Sequence, residues 1–150
     1  MANCLVLIDI YDNLTSLPQA IEKLLESKKF DHIVAVKTIK HIDAEKCTCS
    51  ELHTIIKTNA EKVFKKRKLT CFTKKFKKYL KKNKIDKLYF AGADTTLSIL
   101  KSALDCVDRA MEVEVLINFC TSASDYKNHE AFKVILECAL GVKSINYELV

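Results

Sequence analysis

The sequence predicts an α/β fold: a three-layer αβα arrangement around a mainly parallel, doubly wound sheet of five to six strands. Short runs rich in Val, Ile and Leu alternate with segments of helical period, as in βαβ crossovers. These runs are continuously apolar, which is typical of strands buried on both faces. The chain has 150 residues, of which 49% are hydrophobic, so we expect one Rossmann-like domain over residues 1–150.

The predicted elements follow one another in a regular order. Residues 3–11 form an apolar run that Asp12 closes, and residues 17–29 have helical period with Pro18 in the first turn, where proline is accepted. Further strands are predicted at 32–39, 62–65, 87–92, 112–119 and 142–147, and further helices at 50–57, 71–84, 95–109 and 128–139.

The positive charge of the chain is local. The formal net charge is +6, and residues 62–87 hold 13 of the 25 basic residues and a single acid, Asp86. Within this segment Phe72, Phe76 and Tyr79 recur at helical spacing, with lysines between them. Since these rings belong to a buried stripe, they are not free to stack on bases, and we do not expect a nucleic acid as a partner.

Composition also bears on compartment and metal binding. No run approaches the roughly 18 apolar residues of a membrane span, and seven cysteines are an odd number, so we expect reduced thiols, a cytoplasmic location and no membrane association. Cys47 and Cys49, with His41 and His53, lack a second ligand pair at a recognised spacing. We therefore expect no metal site and no cofactor.

Polar residues at strand ends are the candidates for chemistry, because the rest of a buried strand serves packing. Asp9 interrupts the first apolar run, and Lys65 and Lys66 end the third strand. Residues 92–98 form a turn from a strand into a helix, which directs backbone N–H groups at one point and suits an anion. Ser98 lies about one turn into that helix. Each position also has a structural interpretation, as a helix cap or a solvated lysine.

Several motifs stand in a fixed order along the chain. They are Gly92-Ala93 after a strand, Ala103-Leu104-Asp105-Cys106 on the next helix, Asp108-Arg109-Ala110, Thr121-Ser122, and His129-Glu130-Ala131 opening a helix. With the run LVLIDIYDN at 5–13 and Lys66-x-x-x-Thr70-x-Phe72, this order resembles the isochorismatase-like hydrolases. These are cysteine hydrolases that include nicotinamidases, carbamoylsarcosine amidases and isochorismatases.

The resemblance implies roles for particular residues. Asp9 takes the place of the family's catalytic acid/base, and Lys66 that of its lysine, with Lys65 as the alternative if the strand is offset by one. Ser98 stands where most members have a nucleophilic cysteine. The resemblance further implies a non-proline cis peptide near Ala93-Asp94, and oxyanion or substrate binding by the turn residues Ala93, Asp94, Thr95 and Leu97.

Two functions remain open at this level. The first is a hydrolase that acts on a small amide or a vinyl ether with an Asp/Lys/Ser site. The second is a catalytically inactive member that serves as a metabolite-binding or protein-interaction scaffold, because serine is a weaker nucleophile than cysteine and needs strong activation. A small-molecule substrate or ligand is the expected partner. Short loops after the first two strands leave a pocket that is either shallow or completed by another subunit. We also expect a homo-oligomer, since sheets of this type often pair through helices and a last strand, for which the apolar segment 145–150 is suited.

Overall fold

A computed structural model describes residues 1–11, 17–27, 29–39, 51–122 and 126–146. The sheet has six strands in the order β3-β2-β1-β4-β5-β6, and every neighbouring pair is parallel. The strands are β1 Ala2–Ile8, β2 His32–Thr38, β3 Lys62–Lys66, β4 Ile85–Ala93, β5 Glu112–Thr121 and β6 Ile145–Asn146; the helices are α1 Leu17–Glu26, α2 Thr54–Asn59, α3 Lys74–Lys82, α4 Leu100–Asp108 and α5 Tyr126–Leu140. The predicted fold class is confirmed.

The sheet separates two apolar cores. One face packs against α3, α4 and α5, and its core includes Val6, Phe76 and Leu136. The other face packs against α1 and α2 through residues such as Leu24 and Ile56. Helices on both faces explain why the strands read as continuous apolar runs in the sequence.

The order of the strands reverses at β1, from which the chain proceeds first toward β3 and then back to β4. In open parallel sheets, ligands bind beyond the carboxyl ends of the strands at such a reversal. Gly92 brings β4 close to β1 there. Its φ is +122°, and a Cβ added at this position would lie 2.0 Å from the carbonyl oxygen of Ile8, so only glycine fits.

Several predicted boundaries were wrong; α1, for example, ends at Glu26 rather than at 29, and α3 begins at Lys74 rather than at 71. The first strand ends at Ile8 rather than at Tyr11, because Asp9 adopts a left-handed conformation with φ +49°. The helix predicted over 50–57 is α2, at Thr54–Asn59. The last predicted strand is mostly a 3₁₀ turn, Val142–Ser144, which leaves two residues to β6.

No helix in the described parts of the chain is long and apolar enough to cross a membrane.

Candidate active site

Strand register brings the sequence-predicted residues to one edge of the sheet. Ile8 of β1 pairs with Val36 of β2 and with Gly92 of β4, and Thr38 at the end of β2 pairs with Lys66 at the end of β3. The carboxyl ends of four neighbouring strands therefore meet at the edge where β1 separates the two halves of the sheet.

Asp9 is held in place by backbone and side-chain hydrogen bonds. Its N–H donates to the carbonyl oxygen of Val36 at 2.9 Å. Its Oδ1 accepts from the Tyr11 hydroxyl and from the Thr38 N–H, both at 2.6 Å, and its Oδ2 accepts from Thr38 Oγ1 at 2.5 Å. These bonds offset the cost of a left-handed aspartate, about 1 to 2 kcal/mol, and fix the direction of the carboxylate.

Lys66 is a buried lysine with a direct contact to the predicted nucleophile. Its side chain is 2% exposed, and its Nζ donates to Ser98 Oγ at 2.9 Å and to the carbonyl oxygen of Lys68 at 3.0 Å. Within the described residues it forms no ion pair with an acid. Alternation along β3 explains why Lys66 and not Lys65 has this position, since Phe64 and Lys66 are buried and Lys65 is exposed.

Burial decides the proton affinity of this lysine. Removal of the ammonium group from water lowers the pKa of Lys66 below its usual value of 10.5, and the negative charge of Asp9 opposes that shift in part. A lysine with a lowered pKa has a larger neutral fraction near neutral pH, and only the neutral amine can accept a proton.

Ser98 lies on an unusual turn between β4 and α4. The predicted cis peptide is present between Ala93 and Asp94, and Thr95–Ile99 forms a π-helical turn ahead of α4. The Asp94 carboxylate caps this turn by accepting from the N–H of Thr96 at 2.9 Å, and the Ile99 N–H donates to the Asp94 carbonyl oxygen at 3.0 Å. Ser98 is 6% exposed and faces Lys66.

The four residues predicted to bind an oxyanion lie in the same turn. Ala93 and Thr95 are buried, Asp94 is half-buried, and the Leu97 side chain is 51% exposed. The Leu97 N–H donates to the Asp94 carbonyl oxygen over 3.3 Å, a long bond that a bound anion would have to compete with.

The structure brings Lys66 and Ser98 into contact, whereas Asp9 joins them only through its charge. No hydrogen bond or ion pair is formed between Asp9 and either of the other two. Thr38, Tyr11 and His129 complete the site, and sequence reasoning assigned them no role there. Thr38 could have been found, because it is a polar residue at the end of the strand next to β1.

His129 supports the turn from α5. Its Nδ1 lies 3.0 Å from Oγ1 of Thr95, a side chain with no exposed surface. This contact ties the start of the π-helical turn to α5, so the His-Glu-Ala motif of the sequence supports the turn that carries Ser98.

Metal binding finds no support in the described residues, where no three His, Cys, Asp or Glu side chains form a group that could hold an ion. His53 accepts a hydrogen bond from the N–H of Ile55 at 3.2 Å and caps α2. His41, Cys47 and Cys49 lie outside the described residues.

Comparisons with known proteins agree with the fold. Curated protein sequences give no match, but solved structures do. An isochorismatase-like hydrolase from Alkaliphilus metalliredigens has a TM-score of 0.79 and 17% identity, covering 97% of this chain and 94% of that chain. The nicotinamidase of Bacillus subtilis has a TM-score of 0.79 and 16% identity, covering 97% and 99%. That of Staphylococcus aureus has a TM-score of 0.78 and 16% identity, covering 97% and 98%.

Such low identities show a shared fold and not shared chemistry. Membership rests instead on the family model of the isochorismatase domain, which matches residues 3–144, nearly the whole sequence. The chain therefore belongs to the isochorismatase domain family.

Proposed function

We propose that this protein is a hydrolase that cleaves a C–N bond in a small amide, with Ser98 as nucleophile, Lys66 as proton acceptor and Asp9 as an electrostatic partner of Lys66. The observation that carries the proposal is the contact between Lys66 Nζ and Ser98 Oγ, 2.9 Å long and almost entirely buried. A serine becomes a useful nucleophile when a group that can take its proton lies within hydrogen-bond distance.

Lys66 suits the proton transfer better than Asp9 for a geometric reason. Both carboxylate oxygens of Asp9 already accept hydrogen bonds from Thr38, and one also accepts from Tyr11. Lys66 is next to Ser98 and has its pKa lowered by burial. Serine–lysine pairs of this kind are a known variant of nucleophilic catalysis on other folds.

The proposed reaction has two balanced halves. Ser98 Oγ attacks the amide carbon while its proton moves to the neutral amine of Lys66, and Lys66 returns that proton to the nitrogen as the C–N bond breaks. A water molecule then attacks the acyl group on Ser98 and gives one proton to Lys66, and Lys66 returns it to Ser98 as the acid leaves. Each time Lys66 becomes charged, the nearby carboxylate of Asp9 stabilises it.

An amide is favoured over a vinyl ether by the same contact. Cleavage of a vinyl ether begins with protonation by an acid and needs no nucleophilic side chain, so it would leave the buried Lys66–Ser98 pair without a use. Two of the similar solved structures are named nicotinamidases, enzymes of amide substrates, which also favours this choice.

The test is a hydrolysis screen of the purified protein with nicotinamide, simple N-carbamoyl amides and isochorismate. We expect ammonia release from an amide, loss of turnover in Ser98→Ala and Lys66→Met, and a rate that rises with pH as Lys66 loses its proton. The matched control is Ser102→Ala, which removes a buried hydroxyl one turn further along that accepts from the Cys71 N–H at 3.0 Å and forms no hydrogen bond with Lys66. It should keep its activity.

Three outcomes would count against the proposal. Turnover that survives Ser98→Ala would show that Ser98 is not the nucleophile. Cleavage of isochorismate and of no amide would show that the protein hydrolyses a vinyl ether instead. If the wild type is silent and Ser98→Cys gains activity, the scaffold is competent but the natural protein does not use its serine.

A further inference from the structure

A groove on the outer edge of the sheet has a strongly positive lining. It lies between the edge strand β3 and helix α3 and has a volume of about 1010 Å³. Its lining includes six lysines, which we call the lysine groove: Lys62, Lys65, Lys74, Lys75, Lys78 and Lys82. We propose that the lysine groove binds the phosphate backbone of a single-stranded nucleic acid, independently of base sequence.

The charge of the groove is not neutralised by the protein. None of the six lysines forms an ion pair with an acid among the described residues. The one acid in the lining, Glu61, accepts hydrogen bonds from the Tyr79 hydroxyl at 2.9 Å and from the N–H of Ile33 at 3.3 Å, and it pairs with His32 at 3.2 Å. Lysines elsewhere do find acids, as Lys87 does with Glu114.

The chemistry of the lining favours phosphates over a protein partner. Protein interfaces have an apolar centre and are poor in lysine, whereas nucleic-acid interfaces are strongly positive. Here the apolar residues offer little surface for an anchor, because Phe64 is 2% exposed, Tyr79 is half-buried and Val63 reaches only 41%. A membrane is flat and would not enter a concave groove.

The residue types predict binding without base specificity. Lysine contacts phosphate as a point charge, while base reading relies on the bidentate side chains Arg, Asn and Gln. The one such residue in the lining, Asn83, donates its side-chain amide to the carbonyl oxygen of Tyr79 at 2.9 Å. No ring in the groove is free to stack on bases, since Phe64 is buried and the half-buried ring of Tyr79 packs against the rings of Phe64 and His32. The absence of free stacking rings, from which the sequence predicted no nucleic-acid partner, excludes binding through stacked bases and leaves contacts to the phosphate backbone open.

The size of the groove sets the expected strength. A helix of nine residues such as α3 is about 13 Å long, and a nucleic-acid strand carries about four phosphates over that length. Four neutralised phosphates give a slope of about −3 when the logarithm of the binding constant is plotted against the logarithm of salt concentration.

The test uses the fluorescence anisotropy of a labelled oligouridine of about 20 nucleotides, titrated with the full chain at salt concentrations from about 50 to about 300 mM. We expect the double variant Lys78→Gln/Lys82→Gln to bind about tenfold more weakly at the lowest salt and to reduce the slope by about 1.4. The matched control is Lys77→Gln/Lys81→Gln, which makes the same charge change on the same helix, away from the groove and beside Leu80. It should bind like the wild type.

Three other negatively charged ligands test whether the groove prefers a single-stranded nucleic acid. A duplex of equal length has the higher charge density, but it is a stiff rod that cannot follow a concave groove as a flexible single strand can, so it should bind more weakly than the oligouridine. Polyglutamate and vesicles that contain phosphatidylserine should also bind more weakly. An equal loss of oligouridine affinity in both double variants would overturn the proposal, because it would show that binding depends on the total positive charge and not on the lysine groove. No binding of the oligouridine, or tighter binding of any comparison ligand, would overturn it as well. All four substituted lysines are exposed, so thermal unfolding should confirm that both variants fold.

Discussion

Two lysines at opposite ends of the sheet have pKa values that are shifted in opposite directions. Near the amino ends of the strands, Lys87 of β4 pairs with Glu114 of β5, and this hydrogen bond raises the pKa of Lys87. At the carboxyl edge, burial lowers the pKa of Lys66, which contacts a hydroxyl and a carbonyl oxygen but no carboxylate.

This difference separates a structural charge from a functional one. The amino-end pair is partly exposed and brings opposite charges together, which is the inexpensive arrangement for a charged group. The carboxyl edge keeps the charges of Asp9 and Lys66 apart and bonds each to neutral groups, which is costly for stability. Costly arrangements of titratable groups occur most often at functional sites.

The largest expected effect comes from closing the space between β1 and β4. Gly92→Ala places a Cβ 2.0 Å from the Ile8 carbonyl oxygen at a φ of +122°. We expect the free energy of unfolding in urea to fall by about 4 kcal/mol or more, with loss of the site. Gly141→Ala is the control, because its φ is also positive, +82°, but nothing lies within 4 Å. Gly141→Ala should lower the free energy of unfolding by about 1 kcal/mol. An equal loss of stability in the two variants would show that the close approach to Ile8 is not what requires glycine at position 92.

The second prediction tests the lysine comparison directly. Lys66→Met should lower kcat by about a thousandfold, and the free energy of unfolding should stay the same or rise, since a buried charge without an acid is replaced by an apolar side chain of similar length. Lys87→Met should leave kcat unchanged and cost at most about 1 kcal/mol. Measured loss of stability in Lys66→Met beyond that of Lys87→Met would mean that Lys66 is structural.

A third, smaller effect is expected at Asp9. Asp9→Asn keeps a residue type that tolerates the left-handed conformation, but its amide can no longer accept all three bonds from Thr38 and Tyr11. We expect kcat to fall about a hundredfold and the free energy of unfolding to fall by about 1 to 2 kcal/mol. Thr38→Val removes only the Oγ1 bond and should lose less of both. If Thr38→Val is the more damaging variant, the carboxylate charge is not what matters.

Much of the fold could be predicted because parallel buried strands and amphipathic helices have distinct periods. The predictions failed for features that depend on the backbone conformation of one residue or one turn. Asp9 ends β1 early with a positive φ, and the π-helical turn Thr95–Ile99 depends on a bond from Ile99 to Asp94 that no side-chain period reveals.

The candidate site, like the fold, could be predicted only in part. Strand ends and motif spacing identify Asp9, Lys66 and Ser98 as candidates, but the choice between Lys65 and Lys66 depends on which side of β3 faces the core beneath α3. Contacts between residues far apart in sequence, such as that of Thr38 with Asp9, follow from register, and a single sequence does not contain the register.

The smallest expected effect is a difference between Lys66 and Lys87 in how each makes the free energy of unfolding depend on pH. Lys66 has a folded-state pKa below 10.5, its value in the unfolded chain, so between the two values the unfolded chain binds more protons and stability rises with pH. Lys87 has a raised pKa, so its stabilisation is complete below 10.5 and is lost as pH rises through the folded value. One unit of pKa corresponds to about 1.4 kcal/mol. Urea unfolding at a series of alkaline pH values should therefore show a gain from Lys66 just below 10.5, superposed on the general fall that the buried thiols Cys4, Cys71, Cys106 and Cys120 cause as they ionise in the unfolded chain. Lys66→Met should abolish this gain, so that its stability falls more steeply with pH than that of the wild type, and Lys87→Met should preserve it. A gain that survives Lys66→Met would assign it to another group and leave Lys66 charged at the pH where the proposed reaction needs it neutral.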